Sequence, residues 1–542
     1  MLTLVIPLFS AQDSTGKLHL IEAEVKRTLR ETDTESKTET HKCGFALVAE
    51  AKLNYERMRP EGKTLVSKVL QRPSLGISIV SPSGFFRIHF ETQGGNQVKY
   101  DINEFARALD SALSYQVDVM GFQPPLGDNG IGGDDRYDVY IMDIGAYYGY
   151  TEPEMEITAG SNRFYSFIVI DNDFEGFYTT GINAARVTAS HELHHAIQIS
   201  RYILKANNFG YIERYFYEMT STAMEEFVFD YVNDYYDYLD DFFEHADVPF
   251  QYHTGYDLPH WVLYLQGKYG YGIIKRMWEL FRGNHGLDAM DAALAEKESS
   301  FGVDFTDFAA WCYFTGHRHI PGSYFEEGDQ YPLIKPRAAS TLNGSSAALN
   351  LTIKPAGIFY LAMVNRQSGG NDTLFSIIVN TNIGKAIDSP DVFTDFIYGL
   401  YTYTVSGATP VAGKYYVRLS GSGAMSLNLA NILNGYYVPS SGGSVMELGY
   451  SYPSPYNYNK HFPKPLIIPA PGLNVETEAD LTIIDISGGV VYSGRQRLFF
   501  DGSKKIRWIP LDKDGNKLGS GVYIYFVKGS SGTRDGKIVV IN

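Results

Sequence analysis

The sequence predicts an α+β domain followed by two all-β units, on three observations. Between position 76 and about position 170, short runs rich in β-branched and aromatic residues alternate with turn residues, as in GISIVS, FFRIHFET, RYDVYIMDIG and FYSFIVIDND. From Ile182 to about Gly316 the pattern turns helical, with HELHHAIQ and YIERYFYEMTSTAMEEFVFDYVNDY as its clearest stretches. Beyond about Pro336 the chain becomes rich in Gly, Ser, Thr and Asn, with short strands at regular spacing. Strands followed by helices suit an α+β domain, and evenly spaced short strands suit β-sandwiches.

Each segment follows from its own residues. The chain has 542 residues, too many for one hydrophobic core. Its net charge of -16 argues against a nucleic-acid binder, which would show a basic face. It opens MLTLVIPLFSAQDSTG. Leu2 to Phe9 is apolar but too short to span a bilayer, and the small residues Ser10 and Ala11 follow. Residues 1–11 therefore read as the remnant of a secretory signal, with a buried N-terminal strand as the other reading. No other run is long enough for a membrane helix, and a secreted or cell-surface protein is expected.

Residues 12–73 are polar and helix-prone. CGFALVAEAKLNYERM and RPEGKTLVSKVLQRP read as two helices, the second closed by Pro73, and the segment is a candidate propeptide. The main domain is expected over 74–336. There YDINEFARALDSALSYQV forms an amphipathic helix between strands. LNLTIKP, GIFYLAMVN, FSIIVNT and KYYVRLSG build a β-sandwich over 337–436. A linker rich in Gly, Ser, Tyr and Pro covers 437–455. LTIIDISGGVVYSG, KKIRWIPLD, GVYIYFVKG and GKIVVIN build a terminal β unit over 456–542.

The chemistry centres on HELHHAIQ, His191 to Gln198. Four helical residues turn through about 400°, so His191 and His195 share one face and can meet one zinc ion. Glu192, rotated by about 100° from His191, flanks the ion without binding it. Zinc lowers the pKa of a water to about 7, and Glu192 is the expected general base. His194 is read as a packed or exposed neighbour. Val187, Leu193 and Ile197 supply packing, and the strand FIVIDND ahead of the helix is expected to be an edge that binds substrate by strand addition.

A third ligand is required. Gln198 and Arg201 stand where another zinc class carries glycine and histidine, which excludes that class. YEMTSTAMEE supplies Glu218, Glu225 and Glu226. Glu218 is taken as the ligand. Glu225, two turns on, is expected to orient a histidine, and the small residues Ser221, Thr222 and Ala223 let the two helices approach. HTGYDLPHWVLYLQGKYG offers His253, Tyr256 and His260, of which Tyr256 is chosen as donor to the developing oxyanion.

Two further features carry alternatives. Cys43 and Cys312 are the only cysteines. Cys43, in HKCGF, has three readings: a disulfide with Cys312, a buried thiol, or a switch whose thiolate fills the open zinc position. The first two are preferred on the general uses of cysteine. GDNGIGGDDRYD, Gly127 to Asp138, holds four aspartates and is read as an acidic surface turn in preference to a calcium (Ca2+) loop.

HELHHAIQ, YEMTSTAMEE and YDLPHWVLYLQGKYG, in that order, resemble a family of secreted bacterial zinc metallopeptidases of the gluzincin type. LQRPSLGISIVSPSGFFRIHFET, GGDDRYDVYIMDIGAYYGYTEPE, FIVIDND and WCYFTGHR extend the likeness from about Cys43 to Arg318. The resemblance implies a zincin-like catalytic domain, Zn2+ held by His191, His195 and Glu218, and Glu192 as base. Met219 departs from the family's commoner E-G-x-A wording, in which glycine follows the glutamate. YPSPYN, LTIIDISGGVVYSG, IRWIPLDKDGNKLGSGVYIYFVKG and GKIVVIN resemble the Ig-like terminal domains of exported bacterial proteins, including type IX sorting domains. That implies export machinery as a partner. The expected function is a secreted zinc metallopeptidase acting on protein or peptide. The alternatives are a surface adhesin with a structural or inactive zinc site, and a zinc hydrolase of non-peptide amides.

Overall fold

The computed structural model describes residues 41–337 with breaks only at 129 and 208–209, isolated positions between 18 and 25, and most strands of 338–542. Residues 1–11 and most of the linker at 437–455 lie outside the described residues. The protein is α+β with a sheet-rich C-terminal region. Among the described residues no helix is long and apolar enough to cross a membrane.

The chain divides into two compact units. The first runs to Tyr238 and adds 254–262 and 274–289; the second holds 239–253, 263–273 and 290–542. The division therefore falls within the helical region rather than at 336. Within the second unit, the Tyr360 hydroxyl donates to the Ala309 carbonyl at 2.9 Å, tying a strand to a helix across that expected boundary.

The first unit is built on a six-stranded mixed sheet in the order β1-β5-β6-β4-β3-β2. Its strands are β1 (His41–Cys43), β2 (Ile77–Val80), β3 (Phe86–Phe90), β4 (Tyr137–Ile141), β5 (Tyr147–Glu156) and β6 (Phe164–Ile170). β3, β4 and β6 run parallel, and β5 runs antiparallel to β6. β6 is thus an inner strand, not the edge expected of FIVIDND. Its apolar run reads as a strand covered on both faces, and Phe167 to Ile170 are fully buried. β5 is the strand that would end the sheet. The three residues of β1 cap it in parallel, with His41 opposite Tyr147 and Cys43 opposite Gly149.

Helices α1 (Phe45–Asn54) and α2 (Pro60–Val69) match the two expected from sequence. They are not a detached segment: Val48, Ala51, Leu65 and Val66 share one apolar core with Tyr140, Tyr147, Phe167 and Val169 of the sheet. Helix α3 (Ile102–Ser114) starts where the Asp101 side chain accepts from the amides of Asn103 and Glu104, and it buries Phe105, Ala108, Leu109 and Ala112. The central helices are α4 (Gly181–Ile197) and α5 (Arg214–Phe229). α4 crosses β5 at Gly149. A Cβ there would lie 2.7 Å from Thr188 Cγ2 and 3.0 Å from the Val169 carbonyl oxygen. Gly149→Ala is expected to destabilise the fold by about 1–3 kcal/mol, the usual cost of overpacking, read as a lower urea midpoint at unchanged slope.

In the second unit, β7 (Ala338–Leu342), β9 (Ile358–Asn365), β10 (Thr373–Asn380), β11 (Ile397–Val405), β12 (Val411–Arg418) and β14 (Val445–Met446) form one sheet. β8 (Ser346–Asn350) and β13 (Ala424–Asn428) form a second of two strands. Residues 456–541 supply a seven-stranded sheet whose core includes Leu481, Ile483, Ile506, Trp508, Tyr525 and Val527.

Candidate metal and catalytic site

Helix α4 is buried along Ala184, Ala185 and Val187 to Ile197, although that stretch carries three histidines and a glutamate. Burying ionisable groups is costly unless each has a partner or a task. Most of their partners come from β1, β5 and α5, with Gln116 and Gln198 completing the set for His194 and His195.

His191, His195 and Glu218 converge as the sequence predicts. The two histidine Nε2 atoms are 3.1 Å apart, and each is 3.2 Å from Glu218 Oε2. A tetrahedral zinc site with bonds of about 2.0–2.1 Å has edges of about 3.3 Å, so these three atoms form one face of such a site. Glu218 Oε1 is buried without a hydrogen-bond partner, as suits a carboxylate awaiting a cation. Burial disfavours charge on both His191 and Glu218; hydrogen bonds to Glu218 and Glu225 outweigh it at His191 and raise its pKa to about 9, while His195 and His191 outweigh it at Glu218 and lower its pKa to about 2. Two imidazoles and a carboxylate are a donor set that fits zinc.

The fourth corner is Cys43. Its Sγ and the three other ligand atoms all lie within 4.8 Å of one another, and all four residues are buried. Cys43 and Cys312 are both free thiols, so the disulfide reading is overturned. The Cys43 thiol donates to Glu192 Oε1 at 2.9 Å and accepts from the Phe45 amide at 3.2 Å. Burial, with Glu192 and Glu218 beside it, pushes that thiol well above its usual pKa. The Phe45 ring stacks on His195 with centroids 4.0 Å apart.

Glu192 is fully buried, and the Thr151 hydroxyl lies 2.8 Å from its Oε2. Burial raises its pKa, opposed by His195 and His191. The Tyr256 hydroxyl donates to the Cys43 carbonyl at 3.0 Å, so it faces a peptide carbonyl beside the cluster, and the Arg214 guanidinium lies 5.1 Å from its ring centroid. Gly255 turns the chain into this position with φ of +98°, where a Cβ would lie 2.7 Å from Glu218 Cβ.

The supporting shell is partly the expected one. His191 Nδ1 donates to Glu225 at 2.7 Å, leaving Nε2 for the centre. Three features were not foreseen. His195 Nδ1 donates to Gln198 Oε1 at 2.8 Å. The Gln198 amide is itself fixed by donation to Tyr217 O, Thr220 Oγ1 and Ser221 Oγ, each at 3.0 Å. Thr151 and Lys42 are the other two. The signal for Gln198 was present, since it lies one helical turn after His195. Gln198→Ala is expected to weaken zinc binding about 10- to 100-fold, measured by competition with a chromogenic chelator. Unchanged affinity would remove its positioning role.

His194 is buried and holds Gln116 at 3.0 Å, so it is a packed neighbour. His253 and His260 are buried outside the cluster. Glu226 is buried on α5 and is not among the converging groups. In 127–138, Asp128 and Asp138 are buried and share Arg72 with Glu154, while Asp134 faces Arg87 and Arg136, so two of the four aspartates lie inside the fold rather than on the acidic surface turn expected.

No family model matches the chain, and no curated protein matches it. Solved structures give partial overlaps. One is PorZ, a surface component of the type-IX secretion system of Porphyromonas gingivalis, at 15% identity over 36% of this chain and 38% of that one, with a TM-score of 0.14. Dimeric latent PorU from the same organism overlaps at 13% identity over 37% of this chain and 20% of its own, also at 0.14. The neural ectodermal development factor IMP-L2 overlaps at 12% identity over 38% of this chain and 90% of its own, at 0.10. The chain thus spans well under half of either Porphyromonas protein. These overlaps give it neither a family nor an activity.

Proposed function

We propose that the protein is an exported zinc metallopeptidase, held latent by its own Cys43. The observation that carries the reading is the convergence of His191, His195 and Glu218 beside a buried Glu192 that takes no part in the ligand set. A zinc ion in this site supplies a Lewis acid that makes water nucleophilic near neutral pH.

The protein's own groups do the rest. Glu192, oriented by Thr151, takes the proton of the attacking water and returns it to the leaving nitrogen. Tyr256 donates to the carbonyl oxygen as charge builds there. β5 offers its backbone to an extended peptide along the line β1 now occupies. With the ion bound, Cys43 would take the fourth ligand position as a thiolate and its proton would pass to Glu192 across their 2.9 Å contact, so the base would be blocked and this state is a resting one. Export is supported by the apolar start of the chain and the sorting-type pattern of residues 456–542, with the cell's export machinery as partner.

A closed set of four ligands also favours a second reading, a structural zinc site in a surface adhesin. Glu192 separates the two. A structural site needs no buried carboxylate 2.9 Å from one of its ligands, whereas a peptidase does. The test starts with metal content, expected at one zinc per chain. In the cobalt-loaded protein, a thiolate-to-metal absorption band should be present and should vanish in Cys43→Ala. Cys43→Ala should cut an unstructured peptide mixture, and the Cys43→Ala, Glu192→Gln chain should not. A zinc-loaded Cys43→Ala chain that cuts nothing would leave the adhesin reading in place.

A further inference from the structure

The residue before Cys43 occupies a built pocket. Lys42 is 4% exposed, and its ammonium pairs with Asp234 and, at 2.8 Å, with Glu225 Oε2. Two aromatic rings wall the site, with Nζ 4.9 Å from the Tyr238 centroid and 5.5 Å from that of Tyr148. Tyr148 fixes Asp234 from the far side, donating to Oδ1 at 3.0 Å. Glu225 is shared with His191, which leaves Asp234 as the acid dedicated to the pocket.

β1 sits where a substrate would. It covers the free side of β5, its Cys43 carbonyl accepts from Tyr256, and its thiol lies over the ligand set. Any peptide that takes this line presents a neighbouring side chain to Asp234. Once Lys42 leaves with its strand, two buried carboxylates remain between aromatic walls, an arrangement that demands a cation on a flexible apolar stem. We infer that the pocket of Asp234, Glu225, Tyr148 and Tyr238 is a specificity subsite for a lysine or arginine next to the cleaved bond, and that Lys42 fills it as an internal substrate mimic. The substrate role rests on the peptidase reading; the pocket's appetite for an alkylammonium does not.

Two measurements separate these claims. In full-length Lys42→Ala, n-butylammonium should raise the melting temperature while n-butanol at equal concentration does not, and adding Asp234→Asn should abolish the difference. Equal effects of the two additives would overturn the pocket. In the Cys43→Ala chain, kcat/KM for a peptide bearing lysine should exceed that for its norleucine twin by at least about tenfold, as expected of a desolvated charge pair. Asp234→Asn should collapse that ratio. Cleavage without lysine preference would overturn the subsite and leave the peptidase standing. Ammonium rescue with no cleavage of any peptide would sink the peptidase reading, and the substrate role with it.

Discussion

Replacing Cys43 with alanine is expected to raise peptide cleavage roughly 10- to 100-fold while zinc stays bound. The estimate comes from what the thiol holds. With zinc bound the thiol's proton sits on Glu192, whose contact with the thiolate is then a hydrogen bond to a charged group, worth about 1.5–3 kcal/mol. At about 1.4 kcal/mol per factor of ten, losing it shifts the balance between covered and open site by one to two orders of magnitude. Zinc is retained because His191, His195 and Glu218 remain, and three protein ligands suffice at a catalytic site. The gain is bounded, since Lys42 still anchors β1 through Asp234 and Glu225. Activity would be followed on an unstructured fluorogenic peptide mixture beside metal content. Loss of zinc in Cys43→Ala would mean that the thiol is an essential structural ligand. Unchanged activity with zinc in place would mean that it is not what closes the site.

Much of the site was legible in the sequence, and the reasons are geometric. A spacing of four in His191 and His195, and of seven in Glu218 and Glu225, fixes which side chains share a helix face before any tertiary contact is known. The small residues between the two glutamates do bring α5 close, with Ser221 Oγ 3.2 Å from His195 Nδ1. What stayed hidden depended on pairing between distant segments. FIVIDND looked like an edge because a short apolar run does not say how many neighbours it has; the ladder gives it one on each side. Cys43 had several plausible uses until β1 paired with β5 and set its thiol 149 residues away on Glu192. Lys42 and Asp234, separated by 192 residues, carry no local signal that they meet. The segment 12–73 looked separable because α1 and α2 are polar outside, yet their apolar faces complete the core beside the sheet.

Glu192→Gln, made in the Cys43→Ala background, is expected to lower kcat by about 10²–10⁴-fold, the usual contribution of a positioned general base. Glutamine keeps the volume and can still accept from Thr151, so the helix and the ligand set should remain intact. What it loses is the ability to take a proton. Glu192 is fully buried, and its raised pKa brings its basicity nearer to the working pH than that of an exposed carboxylate. The decisive comparison is zinc affinity against kcat. Equal zinc affinity with a collapsed kcat assigns proton transfer to Glu192, because a residue that merely supported the fold would lower metal binding and melting temperature together. A variant that keeps its full kcat would instead force the proton onto another group and remove the feature that distinguishes this site from a structural one.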